Sequence, residues 1–196
     1  GVEDLAREAV GANITGTGEI GSTPLGALSV SDGANVGFTN AVTAASFTQS
    51  AESTGTGTTT FSGVQDYTGN FSFTGSALTV DNTMSVGGST TITNGGLFTK
   101  NGTGAISSTG GFTQNGGGVS SIGANISTTN TGLSFATDVT LTGTVQLSTD
   151  SGLGNISLGG VVNETTGGTD GLTLLVGTGD ISVTGSVGST ELGALQ

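Results

Sequence analysis

GSTPLGAL at residues 21–28 returns as GSTELGAL at residues 188–195, with seven identities in eight. The offset is 188 less 21, or 167, and it holds upstream: Leu5 corresponds to Leu172, Ile14 to Ile181 and Gly18 to Gly185. A long internal period of this kind marks a repeat architecture, in which each unit buries its apolar side only by stacking on the next. The 196 residues therefore read as a single segment, 1–196, holding one long period and the start of the next. Leu25, Leu28, Leu192 and Leu195, the apolar positions of the two copies, are candidate structural residues.

A shorter echo lies inside the period. ASFTQS at 45–50 resembles GGFTQN at 110–115, and Phe47 and Phe112 are separated by 65 (112 less 47). That distance fits about three coils of roughly 22 residues, within the range of solenoid repeats. Finer still is a pattern of period two. LSV at 28–30, FSF at 71–73, LTV at 78–80, LSF at 133–135 and ISV at 181–183 each put two apolar side chains on one face and a small polar one on the other. This is the signature of a half-buried strand. Gly, Asn and Asp punctuate the runs, as turns with positive φ require.

Together the three periods predict an all-β fold: a parallel β-helix (β-solenoid) of about seven to nine coils. At about 4.8 Å per coil the long repeat unit would be a rod roughly 35–40 Å long. The eight phenylalanines, Phe47 and Phe112 among them, are expected inside the bore. Asn125 and Asn155 are candidates for stacked side-chain amides on successive turns.

One stretch admits two readings. In VEDLAREAV at 2–10, Val2, Leu5, Ala6, Ala9 and Val10 have helical spacing, and Glu3 and Asp4 would sit in the first turn. Residues 1–12 are then either a divergent first strand or a short amino-terminal capping helix. The repeat partner, TDGLTLLVG at 169–177, reads as a strand.

Composition narrows the function. The chain has 39 Gly, 1 Pro, no Cys and no His, and a formal net charge of −12 from 14 acidic and 2 basic residues, Arg7 and Lys100. Nucleic-acid binding needs several Lys or Arg to displace counterions, so no nucleic-acid partner is expected. No apolar run approaches the roughly 20 residues that cross a bilayer, and no signal-peptide pattern is present. Membrane insertion is not expected, and an exported parent protein would hold this stretch in its interior. Triads built on His, and His or thiolate metal sites, have no residues to use.

The acids are scattered. Asp150, Asp170 and Glu191 are spaced by 20 and 21, close to one coil. Aligned, they would form a carboxylate column whose repulsion a Ca2+ ion relieves; unaligned, they are three solvated turn residues. GGTDGL at 167–172 is only a partial echo of the calcium-binding nonapeptide. Thr-x-Thr pairs at Thr15/Thr17, Thr54/Thr56, Thr91/Thr93 and Thr140/Thr142 are too irregularly spaced for one motif per coil on one face. Glycan cleavage would need carboxylates paired across coils, and none beyond residue 8 lies within four positions of another. No enzyme activity and no obligate cofactor is expected.

AVTAASFTQSA at 41–51, GGFTQNGGG at 110–118, DVTLTGTVQLSTDSGLGNISLGGVVN at 138–163 and GTGDISVTGSVGSTELGAL at 177–195 resemble the repeats of giant bacterial surface proteins. These are the filamentous-haemagglutinin-like and autotransporter-adhesin-like proteins. The resemblance covers nearly the whole chain and implies a right-handed β-helix. It also implies export to the bacterial cell surface or medium, and a part in adhesion, biofilm or surface structure. Expected partners are host or matrix glycans and proteins. A second expectation is end-to-end self-association into an extracellular fibre, since an open solenoid end exposes unpaired strand edges.

Overall fold

The computed structural model describes residues 3–50 and 55–196. Among these it contains 24 strands and no helix, and every strand pairing is parallel. The chain winds as a β-solenoid of about eight turns. Each turn visits three faces in order. The first face carries the start of Val42–Gln49, then Gln65–Tyr67, Met84–Val86, Ile106–Ser108, Ile126–Thr128, Val145–Ser148, Gly171–Leu175 and Ala194–Leu195. The second runs from Leu5–Glu8 through Phe71–Gly75 and Phe112–Gln114 to Ile181–Val183, and the third from Ile14–Gly16 to Val162–Glu164. Ile20–Ser31 and Val42–Gln49 bend around the corner between the first and second faces. Those two faces are thereby one 16-stranded sheet, and the third is an 8-stranded sheet.

Very short strands suffice because each is poor in contacts alone but paired above and below. In Phe112–Gln114 the outer two side chains point inward and Thr113 points out. Nearly every triplet repeats this pattern. Coil length varies: the step from Phe71 to its partner Thr90 is short, and that from Val145 to Leu172 is long. Turns absorb the difference. Phe47, Phe71, Thr90 and Phe112 occupy successive levels of the second face, so the FTQ echo is indeed three coils apart.

All eight phenylalanines are buried, and most stack on one another. Phe47 lies 4.9 Å from Phe71, ring on ring, and 5.2 Å from Phe61, edge to face. Farther along, Phe112 bridges Phe98 at 6.3 Å and Phe135 at 5.3 Å. Such pairs add about 0.5–1.5 kcal/mol beyond area burial. Tight corners depend on glycine where backbones nearly touch: a Cβ on Gly118 would collide with the Gly96 carbonyl oxygen.

A second device ties coil to coil. Asn or Asp just before a strand accepts a hydrogen bond from a backbone N–H one level up. Asn35 accepts from Thr58 (3.1 Å), Asn70 from Ser89 (2.9 Å), Asn125 from Gln146 (2.8 Å), Asp138 from Val161 (2.8 Å) and Asn155 from Asp180 (2.8 Å). Asn125 and Asn155 thus bond to backbone, and do not build the amide-to-amide ladder expected from sequence. An amide pair does occur where Asn35 donates to Asn13 at 3.0 Å.

The amino-terminal stretch is a strand, and the capping-helix reading is corrected for the described residues; Val2 lies outside them. Leu5–Glu8 pairs with Leu28–Ser31. Gly26 N donates to Glu3 O at 2.9 Å and Ala27 N donates to the Asp4 carboxylate at 2.7 Å. The open edge of the next coil offers more hydrogen bonds than a single helical turn, so the local helical spacing loses to the tertiary partner. Its repeat counterpart, Gly171–Leu175, is a strand as expected.

Phe71 sits at the meeting point of Phe47, Phe61 and Tyr67. Phe71→Ala should lower unfolding free energy by about 3–5 kcal/mol, read from urea denaturation. Ser72→Ala, the neighbouring outward position, should change it by under about 0.5 kcal/mol.

Candidate functional site

Because the coils stack in register, the outward residue of each triplet stands over its counterpart below. On the second face this yields an unbroken column of hydroxyls from Ser29 through Thr48, Ser72, Thr91, Thr113, Ser134 and Ser157 to Ser182. The third face stacks Thr60, Thr79, Thr99, Ser121 and Thr140. The first stacks Asp66, Ser85, Ser107, Ser127 and Ser148. The alternation was legible in the sequence, but the columns were not, because unequal turns hide which coil positions coincide. The described Thr-x-Thr pairs fall on different faces, Thr91 on the second and Thr140 on the third; Thr54 lies outside the described residues.

A concavity of about 440 Å³ follows the corner between the first and second faces. Asp66, Ser85, Ser107 and Ser127 line it together with Thr68 and Thr109. Ser127 Oγ donates to Ser107 Oγ at 3.2 Å. The groove is shallow, rich in hydroxyl donors and acceptors, and holds one carboxylate. It suits a ligand with many hydroxyls of its own lying lengthwise.

The register does not assemble Asp150, Asp170 and Glu191 into a column. Asp150 follows Val145–Ser148 at a turn with φ +62, whereas Asp170 precedes Gly171–Leu175, the strand that stacks on it. They stand at opposite strand ends. Gly193, not Glu191, lies over Asp170, its N–H donating to Asp170 O at 2.8 Å. The cause is coil length: the steps here, from Val145 to Leu172 and from Leu172 to Leu195, are both longer than the spacing of the three acids. Among the described residues no cluster of three or more acids forms. Of the repeated leucines, Leu28 is buried, Leu25 and Leu192 pack partly against the core, and Leu195 is exposed.

Two charged residues inside the structure were not singled out from sequence. Lys100 is an inward position of Phe98–Lys100, stacked between Val80 and Ile122 and fully buried. Its ammonium turns along the bore wall and donates to Asn101 O at 2.7 Å and Thr103 O at 2.8 Å, pinning the turn before Ile106. Burial lowers its pKa to about 8, against the opposing pull of nearby Asp81. Asp81 accepts from Asn101 Nδ2 at 2.6 Å and from Ser62 Oγ at 3.0 Å. Glu164 likewise turns inward and accepts from the N–H groups of Thr169 (3.0 Å) and Asp170 (2.5 Å), closing the turn before the penultimate strand of the first face. The alternation Phe98-Thr99-Lys100 was the available signal for Lys100. Tyr67, also buried, donates to Gln65 at 2.8 Å, and burial raises its pKa well above the usual value.

No family model, no curated protein and no solved structure matches this chain.

The Lys100 pKa carries a testable sign. Folded it is near 8, unfolded near 10.5. Between those values the unfolded chain binds more protons, so stability rises with pH, by at most about 1.4 kcal/mol per unit. Tyr67 acts oppositely, but only above its unfolded value of about 10. Urea midpoints measured from pH 8 to about 9.5 should climb in the wild type and stay flat in Lys100→Met.

Proposed function

We propose that this chain is a structural and adhesive repeat module. It would be a stiff rod within a secreted bacterial surface protein of the filamentous-haemagglutinin-like or autotransporter-adhesin-like kind, holding its partners by many weak contacts. The observation that carries the reading is the hydroxyl column on the second face, one group per coil from Ser29 to Ser182. Such a column offers the same modest contact at every level, at a spacing of about 4.8 Å. The groove beside it adds Ser85, Ser107 and Ser127 with Asp66. A net charge of −12 disfavours polyanionic ligands, so the partners best suited are neutral glycans of a host or matrix. The reading involves no bond-breaking step and no cofactor. A lone carboxylate in the groove gives a glycosidase no partner group.

Single contacts of this type are weak, and affinity comes from linkage. A tetramerised form of the chain should be retained on neutral glycan arrays roughly 10²–10⁴-fold more strongly than the monomer. Ser107→Arg combined with Ser127→Arg, which fills the groove, should abolish that retention without altering the far-ultraviolet circular dichroism. Indifference of every glycan to the tetramer would remove the adhesive half of the reading and leave a stalk.

A second reading, an extracellular fibre built end to end, is favoured by the parallel in-register pairing of coil on coil, which one unit could continue on another. Electron microscopy across a concentration series separates the two: filaments for the fibre, isolated short rods for the stalk.

A further inference from the structure

The long sequence period and the coil do not share a common phase. Leu5 lies on the second face and its counterpart Leu172 on the first. Ile14 lies on the third face and Ile181 on the second. Ile20 begins on the first face, whereas Val187 is bridged to Val162 on the third. Each element has stepped back by one face. Because Ile20–Ser31 and Val42–Gln49 each serve two faces, the path from Leu5 to Leu172 falls one face short of eight full turns.

Individual local contacts nonetheless recur, although the 12-residue strand Ile20–Ser31 has as its counterpart only a bridge at Val187 and the short strand Ala194–Leu195. Leu5 pairs with Leu28, and Leu172 with Leu195. Gly26 N donates to Glu3 O at 2.9 Å, and Gly193 N to Asp170 O at 2.8 Å. Gly21 and Gly188 share a left-handed backbone, with φ +80 and +74. The same pairings and turn thus recur on different sides of the rod.

What covers the first copy is visible. Val36 stacks on Ile14, Val42 on Ile20 and Phe47 on Leu28. Ile14 is accordingly 8% exposed and Leu28 0%. By the same offset Ile181, Val187 and Leu195 correspond to Ile14, Ile20 and Leu28, the positions that residues 29–50 cover.

We propose that the carboxyl-terminal coil is a docking surface for a second copy of this repeat unit, which continues the same rod but turned by one face, a third of a revolution. Val36, Val42 and Phe47 of the second unit settle on Ile181, Val187 and Leu195. Three units pass before the faces coincide again. Any ligand-binding feature on one face, including the corner groove, is then presented on each side of the rod in succession. The inference concerns the join between units and holds for either reading above.

The absence of cysteine makes the test clean. A tandem of residues 1–195 joined to residues 29–196 of a second copy receives two pyrene labels on introduced cysteines. One pair is Ser182→Cys with Gly37→Cys of the second unit. These stack directly in the turned arrangement, as Thr15 and Gly37 do in the first, and a Cβ at Gly37 meets nothing within 4 Å. The other pair is Ser182→Cys with Thr48→Cys of the second unit, which the turned arrangement places on different faces. Excimer emission from the first pair alone is expected, with small-angle scattering from one straight rod longer than the single chain by roughly 37 Å, taking about 4.8 Å per coil. Excimer emission from the second pair, or from neither, overturns the proposal, as does scattering from two bodies joined by a hinge.

Discussion

Every feature of this molecule follows from the backbone hydrogen bonds that run from coil to coil. A strand of one triplet cannot stand by itself; it holds because similar short strands lie above and below it in parallel register. Parallel register in turn forces each side chain to sit over the side chain one coil away. Phenylalanine stacks on phenylalanine, hydroxyl on hydroxyl, and asparagine reaches the backbone of the next level. Composition is therefore a consequence of stacking: small polar residues outside, one apolar lining inside, glycine where corners bring carbonyls close.

The inside is not wholly apolar, and three of its exceptions share a logic. Lys100, Glu164 and Gln114 occupy inward positions at the edges of strands, where the bore meets a turn. Each folds its polar end back on the backbone groups of that turn. Gln114 donates to Gly116 O and Gly118 O at 3.1 Å each and to Asn94 Oδ1 at 2.7 Å. Turns of unequal length leave backbone groups facing inward without a strand partner, and a buried polar side chain is the means of meeting them. Variation in coil length and the presence of buried charge are thus two sides of one arrangement.

How much could be read beforehand depended on whether a residue's role is local. The alternation in FSF or LSF is local, and it gave the strands, their inward faces and the burial of all eight phenylalanines. The separation of Phe47 and Phe112 gave the coil length. Roles that depend on register were hidden. Asp150, Asp170 and Glu191 have the spacing of an average coil, but their own coils are longer than average, so they fall out of line. Residues 5–8 have helical spacing, yet the strand edge at Leu28–Ser31 decides their conformation. Lys100 sat in an alternating triplet whose meaning was clear for phenylalanine and overlooked for a cation. The hydroxyl columns needed all the turn lengths at once.

The bonds that hold the coils together all point along the rod. Tension applied at the two ends therefore loads them one layer at a time, as peeling does, and not all together, as shearing would. A single coil of about 22 residues releases on the order of 70 Å of chain when it comes away, far more than the few ångströms it occupied when wound. Under pull the rod would yield by feeding out thread at its end while the remaining coils stay intact, and it would rewind from that same end when slack returns. Stiff when pushed and extensible when drawn, such a shaft would answer compression and tension in different ways.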